Sequence, residues 1–229
     1  PSAFGVLPVT KDEHAMALEK VRHIGDIVAC VAAEDEETAR LAAAAVRIEY
    51  QDLEPIFDMR DGLKDSPDPI HDRGRYHIGE SNVQKRVFQR FGRISDIKNS
   101  IASYDNEWTF KGVNHGFPEP HAVVAHWAPR GRLTLYTPQQ VPHYVHRALA
   151  DVLDIPMHQI NVHRTYVGGG FGGKSDPFPH EMCAAILARK SCRPVRITFD
   201  REEVFWTNRG RHPSRISMAI HADKEGRFS

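Results

Sequence analysis

The sequence predicts an α+β fold in two parts, a small α/β unit followed by the first part of a larger mixed α+β domain. Two observations support this prediction. Near the N-terminus a short apolar run precedes an alanine-rich stretch, and after residue 95 six strand-like segments are interrupted by two helix patterns. We place the first unit at 1–66, a linker with turn-forming residues at 67–94, and the second domain at 95–229.

The first unit is predicted to be β-α-β. The apolar run at 27–33 is typical of a short buried strand. Asp35 is placed to cap a helix that runs to about Val46, and four consecutive alanines favour that helix. Residues 47–50 then alternate between polar and apolar side chains, as a second strand does.

The second domain is predicted to contain two main helices. They begin at Pro142 and Pro179, because proline is favoured in the first turn of a helix, and they run to Leu153 and Lys190. A short helix is also expected at 96–102. The predicted strands lie at 107–110, 122–127, 133–137, 159–167, 195–199 and 216–222.

Composition and charge exclude several classes of partner. Thirty basic and thirty acidic residues give no formal net charge, so no long-range field favours nucleic acid or a membrane surface. No apolar run reaches the roughly 18 residues of a membrane-spanning helix, and no signal peptide is recognisable. Cys30, Cys183 and Cys192 are scattered, which suits a reducing cytoplasm and offers no iron–sulfur ligand set. The fourteen histidines show no zinc-type spacing, so we expect no metal bound directly by the protein.

The sequence GGGFGGKS at 168–175 has five glycines in its first six positions, so its backbone can pass close to a ligand. It satisfies the pattern G-x-x-x-x-G-K-[ST] of the phosphate-binding P-loop. A P-loop needs a helix that begins at its lysine, but the sequence DPFP follows here, and a helix can start only near Pro179. Nucleotide binding is therefore a less favoured alternative, as is a glycine turn without a ligand.

The same string resembles the cofactor loop of the molybdenum hydroxylases, the xanthine dehydrogenase and aldehyde oxidase family. The segment 139–142 resembles the glutamine-containing segment of that family, and Gln140 and Phe171 stand 31 positions apart, as in the family. Residues 115–121 resemble its H-x-x-x-E-x-H segment, and residues 20–26 resemble its small hammerhead domain. The resemblance covers almost the whole chain, and it implies a hammerhead-type domain followed by a molybdopterin-binding domain.

The resemblance also implies a cofactor site. Gln140 would donate its side-chain amide to an oxo ligand of molybdenum, because donors aimed at negative charge stabilise it. Gly170, Phe171 and Gly172 would bind the cofactor, with the backbone amides of Phe171 and Gly172 directed at the pterin and at the metal's oxygen. The pterin itself would hold the metal, so no protein side chain ligates it.

Substrate-near positions follow from the same comparison. Xanthine-type members have a glutamate where Ser175 stands, which argues against a purine substrate, although Asp176 could partly substitute for it. The catalytic glutamate of the family lies beyond Ser229, so the catalytic residue is unknown here, and we expect a piece of a longer polypeptide that is inactive alone.

Within the family, residues 5–8 and 140–146 resemble the α subunit of the 4-hydroxybenzoyl-CoA reductase branch. This implies reductive dehydroxylation of a phenolic acyl-CoA, and oxidation of an aldehyde or N-heterocycle is the alternative. The implied cofactor is molybdopterin in its cytosine dinucleotide form, carrying molybdenum. The implied partners are an iron–sulfur subunit with [2Fe–2S] clusters and a flavin subunit with FAD and a [4Fe–4S] cluster.

Overall fold

The computed structural model describes residues 2–6, 11–64, 66–71, 82–92 and 100–228. It has the mixed α+β architecture that the sequence predicts: a four-stranded sheet packed against two helices, and a separate two-stranded ribbon. The helices are α1 (Glu36–Ala45), α2 (Pro142–Leu153), α3 (Pro179–Ser191) and α4 (Arg201–Thr207). The strands are β1 (Ala102–Phe110), β2 (Ala122–Trp127), β3 (Leu133–Thr137), β4 (Ile160–Arg164), β5 (Val195–Thr198) and β6 (Ser214–Ala222).

The four-stranded sheet has the order β4-β3-β2-β5. Strand β2 is antiparallel to both of its neighbours, whereas β3 and β4 are parallel and are connected through α2. Helices α2 and α3 cover one face of the sheet. The core between them is apolar, and its fully buried side chains include Leu133, Leu135, Leu149 and Met182.

The two predicted main helices are confirmed almost to the residue. Helix α2 begins at Pro142 and ends at Leu153, and the left-handed φ of 51° at its C-cap, Asp154, stops the helix. Helix α3 begins at Pro179, where Glu181 Oε2 accepts a hydrogen bond from the amide of Phe178 at 3.1 Å. Within the described part of the chain, no helix has the length and apolar character needed to cross a membrane.

Helix α4 was not predicted, although its sequence carries a start signal. Asp200 Oδ1 accepts from the amide of Glu203 at 2.8 Å, and Glu203 Oε2 accepts from the amide of Asp200 at 2.8 Å. This reciprocal pair is a capping box, which the D-x-x-E pattern at 200–203 encodes. The helix has only seven residues, too few to produce a clear hydrophobic period.

In the N-terminal part, the predicted helix is confirmed and the predicted strands are wrong. Asp35 caps α1 by accepting from the amide of Thr38 at 2.8 Å. Residues 27–33 and 47–50 are not strands, because neither segment has a ladder partner among the described residues. An apolar or alternating pattern indicates which side chains are buried, whereas a strand also requires a hydrogen-bonded neighbour.

The two-stranded ribbon pairs β1 with β6 in antiparallel register, from Ala102 opposite Ala222 to Phe110 opposite Ser214. Strand β1 is longer than the predicted 107–110. The short helix predicted at 96–102 falls largely outside the described residues, and its last residue begins β1. Strand β4 ends at Arg164, three residues before the predicted end.

Candidate cofactor-binding site

The glycine loop and Gln140 lie together because two parallel strands end at the same edge of the sheet. Residues 138–140 follow β3, and the loop follows β4. The amide of Thr165 donates to the carbonyl of Thr137 at 3.1 Å, so the segments that follow β3 and β4 start side by side. In open α/β sheets, ligands bind outside the carboxyl ends of the parallel strands, and this edge is such a position.

Gln140 is held in one orientation by the loop. Its Oε1 atom accepts hydrogen bonds from the amides of Gly172 at 3.0 Å and Lys174 at 3.2 Å, and its own backbone amide donates to the carbonyl of Lys174 at 2.8 Å. Backbone amides bond only to the oxygen of a glutamine side chain, so these contacts fix which end is the nitrogen. The side-chain nitrogen of Gln140 has no hydrogen-bond partner among the described residues and is available as a donor.

The close approach of Gln140 requires glycine at position 170. A Cβ added to Gly170 would lie 2.4 Å from Gln140 Oε1, well inside van der Waals contact. Phe171 then takes a φ of 52°, which is rare for a residue with a side chain, and 73% of its surface is exposed. Strained backbone of this kind is concentrated at ligand-binding sites.

One predicted donor is already used within the protein. Gly172 has a φ of 91°, and its amide donates to Gln140 Oε1, so it is not offered to a ligand as the sequence comparison implied. The amide of Phe171 has no such partner in the described parts of the chain, and it remains a backbone donor of the loop, as do the amides of Gly169 and Gly170.

Lys174 lies beneath the loop rather than facing a ligand. Its side chain is 1% exposed, and its Nζ lies 2.6 Å from Glu119 Oε2 and 4.8 Å from the centre of the Phe117 ring. Burial lowers the pKa of Lys174. Residues 171–174 form a turn, and α3 begins only at Pro179. The P-loop alternative is therefore wrong, because neither the lysine nor a helix N-terminus can reach a phosphate at the loop.

A buried carboxyl group joins the end of β3 to the start of α3. Glu181 is fully buried, and its Oε1 accepts from Thr137 Oγ1 at 2.9 Å and from Gln139 Nε2 at 3.0 Å. Burial raises the pKa of Glu181 to about 7. Gln139 Nε2 also donates to the carbonyl of Asp176 at 2.8 Å. The segment after the glycine loop is thus tied to the strand that precedes Gln140.

Two histidines are buried, one directly before β2 and one in the first turn of α3. The rings of His121 and His180 are 5.5 Å apart and pack among Phe178 and Phe199. Burial lowers the pKa of His121 to about 4 and holds the pKa of His180 well below its ordinary value, so both rings are neutral at pH 7. No group of three or more His, Cys, Asp or Glu side chains is placed to hold a metal ion in the described parts of the chain.

The two predicted substrate-near residues differ in their surroundings. The carboxylate of Asp176 is paired with Arg209, which also pairs with Glu13 from the N-terminal segment. Asp176 therefore does not present a free carboxylate to a ligand. Ser175 is half-buried, and its amide donates to the carbonyl of Gly172 at 3.3 Å. The hydroxyl of Ser175 has no partner among the described side chains.

Comparison with protein families shows that this fold is that of a molybdopterin cofactor-binding domain. The family model of the molybdopterin cofactor-binding domain matches residues 78–229, and that of the aldehyde oxidase and xanthine dehydrogenase a/b hammerhead domain matches residues 2–54. The chain belongs to the xanthine dehydrogenase and aldehyde oxidase family, so the family and fold class predicted from the sequence are confirmed.

Several relatives extend over nearly the whole chain. The nicotinate dehydrogenase large molybdopterin subunit of Eubacterium barkeri is 31% identical over 98% of this chain and 51% of its own length. The xanthine dehydrogenase molybdenum-binding subunit of Escherichia coli O157:H7 is 32% identical over 93% of this chain and 28% of its own length. The chain thus spans about half the length, or less, of these curated relatives.

Solved structures show the same fold. The quinoline 2-oxidoreductase of Pseudomonas putida 86 superposes with a TM-score of 0.82 at 28% identity, covering 93% of this chain and 27% of that one. The aldehyde oxidoreductase of Desulfovibrio gigas superposes with a TM-score of 0.87 at 20% identity, covering 98% of this chain and 25% of that one. The second likeness is one of fold alone.

Proposed function

We propose that this chain is the part of a molybdenum hydroxylase subunit that positions the molybdopterin cofactor, with Gln140 as its principal side-chain donor. The observation that supports this most directly is the fixed orientation of Gln140, whose oxygen is bound by two loop amides while its nitrogen has no partner in the described structure. A bound molybdenum centre would supply the two-electron redox chemistry of the reaction. The residues present fit such a group, because the Gln140 side-chain nitrogen is a neutral donor without a partner in the described structure, and the charges of Lys174 and Asp176 are paired with Glu119 and Arg209.

The role of the protein is then one of placement. The side-chain nitrogen of Gln140 and the amide of Phe171 would donate to negatively charged oxygen atoms, and Gly170 and Gly172 allow the loop to hold both donors in place. Pre-oriented donors stabilise developing charge without reorganising during the reaction, and one such donor is worth about 100- to 1,000-fold in turnover. The exposed ring of Phe171 would border the space in which the substrate lies.

For the substrate, we propose a nitrogen heteroaromatic compound that is oxidised. Nicotinate, xanthine and quinoline, after which three relatives are named, are all of this class. A purine is less favoured here, because Ser175 replaces the glutamate of xanthine-type members and the carboxylate of Asp176 is engaged with Arg209. A second candidate is reductive dehydroxylation of a phenolic acyl-CoA, which rests on the likeness of residues 140–146 to the 4-hydroxybenzoyl-CoA reductase branch.

We further propose that the pterin is the cytosine dinucleotide form and that electrons pass through partner subunits. Those partners would carry [2Fe–2S] clusters, a [4Fe–4S] cluster and FAD. The three scattered cysteines of this chain support the assignment of the clusters to other chains, because each cluster needs four ligands.

The test is to replace Gln140 in the native complex that contains this chain. Gln140→Ala should lower turnover of nicotinate or quinoline by at least about 100-fold while molybdenum content is retained. Gln51→Ala is the matched control, since Gln51 is exposed and far along the chain from the loop. Turnover of 4-hydroxybenzoyl-CoA with a reduced dye, and none of the heterocycles, would favour the second candidate. Equal turnover in the two variants would refute the role of Gln140.

A further inference from the structure

Glu119 is the side chain at which both ends of the glycine loop meet. Its Oε2 atom accepts a hydrogen bond from the amide of Gly168 at 2.7 Å and from Nζ of Lys174 at 2.6 Å. We infer that Glu119 is a positioning residue that closes this loop and, through Lys174, sets the orientation of Gln140. The effect of Glu119 on cofactor binding rests on the proposed function, whereas its contacts with the loop are seen in the structure.

The segment that carries Glu119 lies directly against the loop. A Cβ added to Gly168 would lie 2.7 Å from the Cβ of Glu119, so the two chains touch at this point. The amide of Glu119 also donates to the carbonyl of Gly168 at 3.3 Å. The start of the loop is therefore held by a backbone bond and a carboxylate bond to the same residue.

Lys174 connects this carboxylate to Gln140. Its side chain reaches Glu119, while its amide donates to Gln140 Oε1 at 3.2 Å and its carbonyl accepts from the amide of Gln140 at 2.8 Å. A shift of Lys174 would release one of the two bonds that orient the Gln140 side chain. Glu119 thereby acts on the proposed cofactor donor without touching it.

The charge of Glu119 matters as much as its shape. The Lys174 side chain is 1% exposed, and its other contacts are the carbonyl of Pro120 at 3.3 Å and the ring of Phe117. Neither of these contacts neutralises an ammonium group. The Glu119 side chain is itself 34% exposed, so the buried charge of the pair is that of Lys174. Removing the carboxylate would leave that buried ammonium group uncompensated, which is unfavourable. Replacing Glu119 by glutamine should therefore open the loop even though glutamine has nearly the same shape.

The experiment measures hydrogen–deuterium exchange by mass spectrometry in the native protein that contains this chain. Glu119→Gln should speed exchange of peptides covering 167–175 at least about tenfold, because bonds to charged groups are the stronger ones. Peptides from α2 and α3 should be unchanged. Glu202→Gln, on the exposed surface of α4, is the matched control and should match the wild type throughout. The double variant Glu119→Gln with Lys174→Gln places two neutral amides together, and it should restore exchange to within about threefold of the wild type.

The outcomes separate this inference from the proposed function. Unchanged loop exchange in Glu119→Gln would overturn the inference, and so would an equal rise in α2 and α3, because that pattern means a general loss of stability. Failure of the double variant to restore exchange would overturn the part played by charge. Exchange can be measured with or without molybdenum in the protein, so a native protein that lacks the metal would refute the proposed function while leaving this result to be decided separately.

Discussion

Replacing Gly170 by alanine tests the packing at the centre of the site. The new Cβ would lie 2.4 Å from Gln140 Oε1, whereas ordinary contact begins at 3.4 Å, so the side chain must move by about 1 Å. Its bonds to the amides of Gly172 and Lys174, now 3.0 and 3.2 Å, would lengthen to about 4 Å and break. Two neutral hydrogen bonds at about 0.5–1.5 kcal/mol each give a loss of about 1–3 kcal/mol in the free energy of unfolding.

The assay is urea unfolding of the native protein, followed by loop exchange and turnover. Turnover should fall about 100-fold, since a misplacement of about 1 Å at a positioning residue has an effect of this size. Gly62→Ala is the matched control, because the nearest atom to its added Cβ is 3.8 Å away and its φ is ordinary. If Gly170→Ala has the same free energy of unfolding and the same turnover as Gly62→Ala, then packing against Gly170 does not hold the Gln140 side chain in place.

Two further predictions concern stability. Burial lowers the pKa of His121 to about 4, so the unfolded chain binds a proton at this residue more readily than the folded protein does. The free energy of unfolding should therefore be unaffected by this group above pH 6.5 and should fall by about 3 kcal/mol as the pH is lowered from 6.5 towards 4. The difference in unfolding free energy between wild type and His121→Phe should change by this amount across that range, and a constant difference would show that His121 is not the titrating group. Asp200→Ala removes the cap of α4 and should cost about 1 kcal/mol in urea unfolding; an unaltered midpoint would contradict the capping role.

The helices were predictable where a local signal starts them, and less so where the signal is short. Pro142 and Pro179 mark the starts of α2 and α3, and Asp35 marks that of α1. The capping box at 200–203 was present in the sequence, but seven residues gave no period to support it. The strands predicted at 27–33 and 47–50 failed because a pattern of apolar residues does not identify a pairing partner.

Some of the site residues were also predictable from the sequence, and others were not. Gln140 and the glycine string are recognisable from type and spacing, and the structure brings them together because β3 and β4 are parallel. The role of Glu119 was not predictable, because it depends on both ends of a loop that begins 49 positions further along the chain meeting at one oxygen atom of this residue. The use of the Gly172 amide by Gln140 depends on backbone angles that the sequence does not specify.

If this chain positions a molybdenum–pterin cofactor, the native protein must contain the metal and the nucleotide of that cofactor. Purified from its host without added metal, the folded protein should contain about one molybdenum per chain and release an equal amount of cytosine nucleotide on denaturation. A folded native protein with neither molybdenum nor a pterin would show that this chain does not position such a cofactor.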